Sequence, residues 1–100
     1  VDAFEVTNFS VVDAYTVTFN ITNAKNANGQ LITAEEKTVG VSLNTYWMYS
    51  TYIRSGSIMV DLENGTAIAR VELNGPIFLW GSSWIMDNIV VTIDGVSVSL

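Results

Sequence analysis

In Tyr15-Thr16-Val17-Thr18-Phe19-Asn20-Ile21-Thr22-Asn23 apolar and polar residues alternate from Tyr15 to Thr22. Side chains of a strand alternate between faces, so Tyr15, Val17, Phe19 and Ile21 fall on one face and Thr16, Thr18, Asn20 and Thr22 on the other. One face is buried and the other wet, as in a half-exposed antiparallel sheet. Residues 3–12 form the preceding strand. Phe4 and Val6 share one parity and Phe9 and Val11 the other, which a bulge or sheet switch near residues 7–8 reconciles. Asp13-Ala14 makes the short turn between the two strands. The polar stretch at residues 23–30 is a loop. Residues 31–34 and 38–43 read as strand, interrupted around Glu35-Glu36-Lys37.

Two further turns come with a register. Asn64-Gly65 suits a type I′ turn, whose two central residues both need positive φ. As a hairpin it pairs Leu62 with Ala67, Val60 with Ala69 and Ile58 with Val71, all apolar. Asp94-Gly95 pairs Ile93 with Val96, Val91 with Val98 and Ile89 with Leu100, and sets Thr92 against Ser97. A slip of one residue would exchange the two faces, so the hydrophobic pattern specifies each register. Gly75-Pro76 separates a strand over 66–74 from one that begins at Ile77, since proline is tolerated at a strand start. Seven to nine strands at about ten-residue spacing, with no long helical pattern, make an all-β fold: an immunoglobulin-like antiparallel β-sandwich, with a jelly roll as the alternative. One hundred residues suit a single domain over 1–100.

Composition removes much of the functional menu. The chain has no His and no Cys, which excludes thiol nucleophiles, disulfides, His ligation and every catalytic pair built on either residue. Ten acidic and four basic residues give a net charge of −6, so nucleic acid is not an expected partner. Glu35 and Glu36 are adjacent and point to opposite faces, and Asp61 and Glu63 lie on the wet face of a hairpin; neither pair suits acid–base work, and no enzyme and no cofactor are expected. Val1 opens the chain, no basic-then-apolar leader follows, and no run reaches the roughly 18 apolar residues of a membrane helix. A removed leader or anchor, or an excised domain, is expected, with membrane attachment only through that missing part. Few Lys and many Val, Thr, Ser and Asn read as an extracellular or cell-surface composition. Three glycosylation triplets begin at Asn8, Asn20 and Asn64, although nine Asn in a Ser/Thr-rich chain also generate such triplets by chance.

Aromatic residues are unevenly spread. Tyr46, Trp47, Tyr49 and Tyr52 lie within seven residues, and Phe78, Trp80 and Trp84 within another seven. Residues 44–57 look like a loop or short helical turn, and Gly81-Ser82-Ser83 like a turn. Large amphipathic rings in such places form a protein interface or a sugar platform, or cap the end of a small core. Tyr46, Trp47, Tyr49, Tyr52, Trp80 and Trp84 are the interface candidates. Asp87 shares parity with Ile85, Ile89 and Val91 and is expected to face inward. There it would accept backbone N–H groups, pair with Arg54 or Arg70, or join Asn88 as a weak calcium candidate.

The segments Phe4-Glu5-Val6-Thr7-Asn8 and Tyr15 to Asn23 resemble the opening hairpin of soluble domains in archaeal cell-surface filament proteins, the archaellin/pilin superfamily with the archaellum stator proteins. The resemblance covers about a fifth of the chain and carries no functional residue with it. It implies a cysteine-free immunoglobulin-like ectodomain behind an apolar N-terminal helix that is not in this sequence. It also implies a non-catalytic module of a surface filament or of its anchoring, whose partner is itself or a surface-layer or filament protein. A second resemblance, of Trp84-Ile85-Met86-Asp87-Asn88-Ile89-Val90-Val91-Thr92 to the closing strand of carbohydrate-binding jelly rolls, keeps a glycan-binding module as the alternative.

Overall fold

The computed structural model describes every residue from Val1 to Leu100. Its elements are β1 (Ala3–Asp13), β2 (Thr16–Lys25), β3 (Ala34–Trp47), β4 (Ser50–Glu63), β5 (Ala67–Glu72), β6 (Phe78–Trp80), β7 (Ser83–Ile93) and β8 (Val96–Ser99), with no helix. One sheet has the order β1-β2-β5. The other runs β4-β3-β7, and two short strands share the far edge of β7: β6 along residues 83–85 and β8 along residues 90–93. All pairings are antiparallel. The two sheets pack face to face as an immunoglobulin-like β-sandwich.

The apolar–polar alternation of β2 builds the core. Val17, Phe19 and Ile21 of β2 are fully buried, facing Val39, Val41 and Leu43 of β3, Val60 and Leu62 of β4, and Val91 and Ile93 of β7. Each side chain of this size contributes about 1.5–3 kcal/mol on burial. The parity change in β1 is a bulge. Register jumps from Thr7↔Asn20 to Ser10↔Thr18, and Asn8 sits at φ 55°, so Val6 and Phe9 both reach the core. Phe9 stacks on Phe19 with ring centroids 6.1 Å apart. The Asp94-Gly95 hairpin has the register read from sequence, down to the Thr92 and Ser97 hydroxyls 2.9 Å apart and the Leu100 N–H donating to the Ile89 carbonyl at 2.9 Å.

Four expectations are corrected. Tyr15 does not share the buried face of Val17. It lies in the turn and is 51% exposed, because the Asp13 carboxylate accepts the Tyr15 N–H at 2.9 Å and the chain reverses there. That hydrogen bond, with a second from Thr16, holds the Asp13 carboxyl below its usual range. Glu35-Glu36-Lys37 do not interrupt a strand but belong to β3, paired with Leu62, Asp61 and Val60, while Lys37 reaches the Asp94 carboxylate at 2.8 Å. Residues 44–57 are neither loop nor helical turn; they are the far half of the β3–β4 hairpin. The strands joined by Asn64-Gly65 do not form a ladder.

That last correction separates the turn from the pairing. The two-residue turn is present, with Asn64 and Gly65 at φ 51° and 75° and reciprocal 3.0 Å bonds between Glu63 and Thr66. Beyond it β4 pairs only with β3, and β5 only with β2. Val60, Leu62, Ala69 and Val71 are buried as expected, but in different sheets. Apolar parity is the same for neighbours in one sheet and for partners across a sandwich. The two strands approach again near Gly56, where an added Cβ would lie 2.1 Å from the Glu72 carbonyl oxygen and 2.9 Å from Val71 Cγ1. Asn74 clips that edge: its N–H donates to the Ser55 carbonyl at 2.9 Å and its side-chain oxygen accepts the Ser55 N–H at 3.1 Å.

Gly56→Ala should therefore lower stability by about 1–3 kcal/mol, the usual effect of overpacking against backbone. Gly40→Ala, whose Cβ would meet nothing nearer than 3.8 Å, serves as the control and should change it by less than about 1 kcal/mol. Urea unfolding of both variants measures this; equal effects would contradict the close approach of β4 to β5.

Candidate functional site

β3 and β4 are the longest strands, fourteen residues each, in a molecule of 47 × 20 × 19 Å. Their hairpin outgrows the core. The last buried position of β3 is Thr45, and every residue from Trp47 to Ile53 is exposed. Thr45 is the one buried polar side chain, and its hydroxyl is fully used: it donates to the Ile85 carbonyl at 2.6 Å and accepts the Phe78 N–H at 2.9 Å. It thus ties β3 to β7 and to β6.

β6 brings Phe78 into a stack of rings. Phe78 lies 5.5 Å from Trp47 at 30° and 5.3 Å from Tyr52 at 65°. The Arg54 guanidinium sits over both Tyr52 and Phe78, 5.2 and 5.7 Å from the ring centres. Arg54 Nε donates to the Pro76 carbonyl at 2.8 Å, and its side chain fills the space where Gly75 lacks a Cβ. A cation over a ring face contributes about 0.5–2 kcal/mol according to exposure. The stack stiffens the hairpin beyond the end of the core.

The hairpin ends in a two-residue turn, Met48-Tyr49, with φ 47° and 69°. The same chain makes two other turns of this kind, and there it uses Asn64-Gly65 and Asp94-Gly95, residues suited to positive φ. Met and Tyr are not, and a residue held in the left-handed region costs on the order of 1–3 kcal/mol. Both side chains project into solvent, Met48 at 76% and Tyr49 at 111% exposure. Beside the turn lies a cleft of about 480 Å³ lined by Tyr46, Trp47, Met48, Tyr49, Trp80 and Ile85, with no charged residue in its wall. The Tyr46 hydroxyl donates to Asp87 Oδ1 at 2.6 Å. The carboxylate that accepts this bond pushes the phenol above its ordinary range.

Of the six interface candidates, Tyr46, Trp47, Tyr49 and Trp80 meet at this cleft, and Tyr52 belongs to the adjoining stack. Trp84 lies elsewhere, half-buried against the core opposite Leu79. Met48, Phe78, Ile85 and Arg54 join the site from outside the sequence-based set. Met48 is separable in sequence only once the turn is known, because no Gly or Asn marks it.

Asp87 is corrected: it is exposed. Register slips between Ser42↔Val90 and Asn44↔Asp87, and the extra residue, Asn88 at φ 48°, reverses the parity that had placed Asp87 with Ile89 and Val91. It lies beside neither Arg54 nor Arg70 in an ion pair, and no group of three or more acidic side chains gathers around it as a metal site. Asn8 and Asn64 are exposed at positive φ, whereas Asn20 is half-buried in the central strand between Thr7 and Ile68. No family model, curated protein or solved structure matches the chain.

Two variants probe the tip without a ligand. Replacing Met48-Tyr49 by Asn-Gly should raise stability by about 1–3 kcal/mol through relief of backbone strain. Thr45→Val should lower it by about 1–3 kcal/mol, because the Ile85 carbonyl and Phe78 N–H lose their partner. Thermal melting of each variant reads both, and an Asn-Gly turn that destabilised the chain would contradict the strain.

Proposed function

We propose that this chain is a non-catalytic extracellular structural or interaction module that associates with a second copy of itself through the aromatic tip of the β3–β4 hairpin. One observation carries the reading. The tip holds Met48 and Tyr49 in an unfavourable backbone conformation and exposes both, while the chain's other two-residue turns take relaxed residues. Strained, exposed positions concentrate at binding surfaces. The composition of the tip agrees, since Trp, Tyr and Met are enriched at protein interfaces. A cell-surface setting, in a filament or its anchoring, follows from the Thr-, Ser- and Asn-rich composition and from the resemblance of the β1–β2 hairpin; a surface-layer protein is the other partner of that setting.

Exposed Trp80 and Tyr49 at an open cleft also favour a second reading, a carbohydrate platform. Sedimentation velocity over a concentration series separates the two. Wild-type protein should form concentration-dependent dimers or larger species, and Tyr49→Asp should remain a monomer with a melting temperature no lower than that of wild type. A variant that associates like wild type would overturn tip docking. A variant that fails to fold would return the rings to the core. A monomeric wild type whose Trp fluorescence shifts with polysaccharide would transfer the site to glycans.

A further inference from the structure

The charges outside the tip narrow what the cleft accepts. The chain has four basic side chains, Lys25, Lys37, Arg54 and Arg70. Lys37 is engaged with Asp94 and Glu35, Arg54 is stacked on Tyr52 and Phe78, and Lys25 is half-buried. Arg70 alone is exposed with neither an ion pair nor a side-chain hydrogen bond. It lies on the outer face of β5, across from Thr18, two residues from Ile68. Residues two apart on a strand share a face. Ile68 is itself 75% exposed, so this face presents a guanidinium between an uncovered aliphatic side chain and the exposed Glu72, with the Asp13 carboxylate near enough to feel its charge. The cleft presents ring faces for it: four rings with Met48 and Ile85 and no cation, with the Asp87 carboxylate outside the wall, hydrogen-bonded to the Tyr46 hydroxyl. The adjoining stack already accommodates one guanidinium, Arg54, on Tyr52 and Phe78.

We propose that the tip cleft of one copy receives Arg70, with Ile68 beside it, from the outer face of β5 on a second copy. The inference rests on the tip-docking reading above and specifies its partner surface. Cleft and Arg70 face are different patches of one chain, so the contact is heterologous: each copy keeps a free cleft at one side and a free Arg70 face at the other. Such contacts continue into open chains or close into rings, whereas a self-complementary contact stops at a dimer. Asn20 lies directly across from Ile68 in the β2–β5 ladder, so a glycan on Asn20 and this docking exclude one another.

Complementation between two disabled chains tests it. Arg70→Glu keeps its cleft and loses the cation; Tyr49→Asp keeps the cation and loses the cleft. Each alone should sediment as a monomer, and an equimolar mixture should form a one-to-one dimer that grows no further. Arg70→Gln should weaken wild-type association by about tenfold or more, the worth of one desolvated cation–ring contact. If Tyr49→Asp dissociates the assembly and Arg70→Glu does not, tip docking stands and the Arg70 proposal falls. If both variants are monomeric and their mixture is too, the contact is not heterologous and the proposal also falls. Association that survives Tyr49→Asp removes tip docking and the Arg70 contact together.

Discussion

The sandwich depends on how β4 and β5 are kept apart after a turn that would normally join them as a hairpin. Val60 and Leu62 on one strand and Ala69 and Val71 on the other are all buried. Laid side by side in one sheet they would present a single apolar face with nothing opposite it. Placed in two sheets they contribute to both walls of one core, which the apolar gain of about 25 cal/mol per Å² favours. Gly56 and the Ser55–Asn74 bonds then set the close approach of the two sheets along this edge.

The tip is the far end of the same β4 strand. β4 pairs with β3 without interruption for fourteen residues, and this ladder overshoots the core. A bare two-stranded ribbon is marginal in water. Here the overshoot is braced by the Thr45 hydroxyl, which recruits β6, and by the rings and guanidinium that β6 completes. The brace is what permits Met48 and Tyr49 to occupy positive φ at the end of the hairpin instead of relaxing. Rigid placement of exposed rings reduces the ordering entropy that binding must overcome, which gives the strain a function.

Much of this was legible in the residues. Period-two alternation located β2 and the β7–β8 hairpin, Asp94-Gly95 set a register that holds pair by pair, and the parity change in β1 marked the bulge at Asn8. Three things were not legible, each for a physical reason. Parity identifies a buried face but not which buried face opposes it, so Asn64-Gly65 read as a hairpin rather than a change of sheet. A one-residue bulge at Asn88 inverts the facing of the β7 residues that precede it, and Asp87 moved from core to surface. The Met48-Tyr49 turn breaks the turn code and so sends no signal; both sides of the overshooting hairpin carry rings, which erased the alternation from Tyr46 to Tyr52. The aromatic clustering nevertheless brought four of the six interface candidates to one cleft.

The most direct measurement of the central claim, that the tip is where this protein meets its partner, is the set of three indole N–H signals in a proton–nitrogen NMR spectrum recorded as protein concentration rises. The account predicts that the Trp47 and Trp80 signals shift and broaden together while Trp84, half-buried against the core, stays fixed. Signals from Trp47 and Trp80 that remain unmoved while the protein associates would place the contact elsewhere and contradict it.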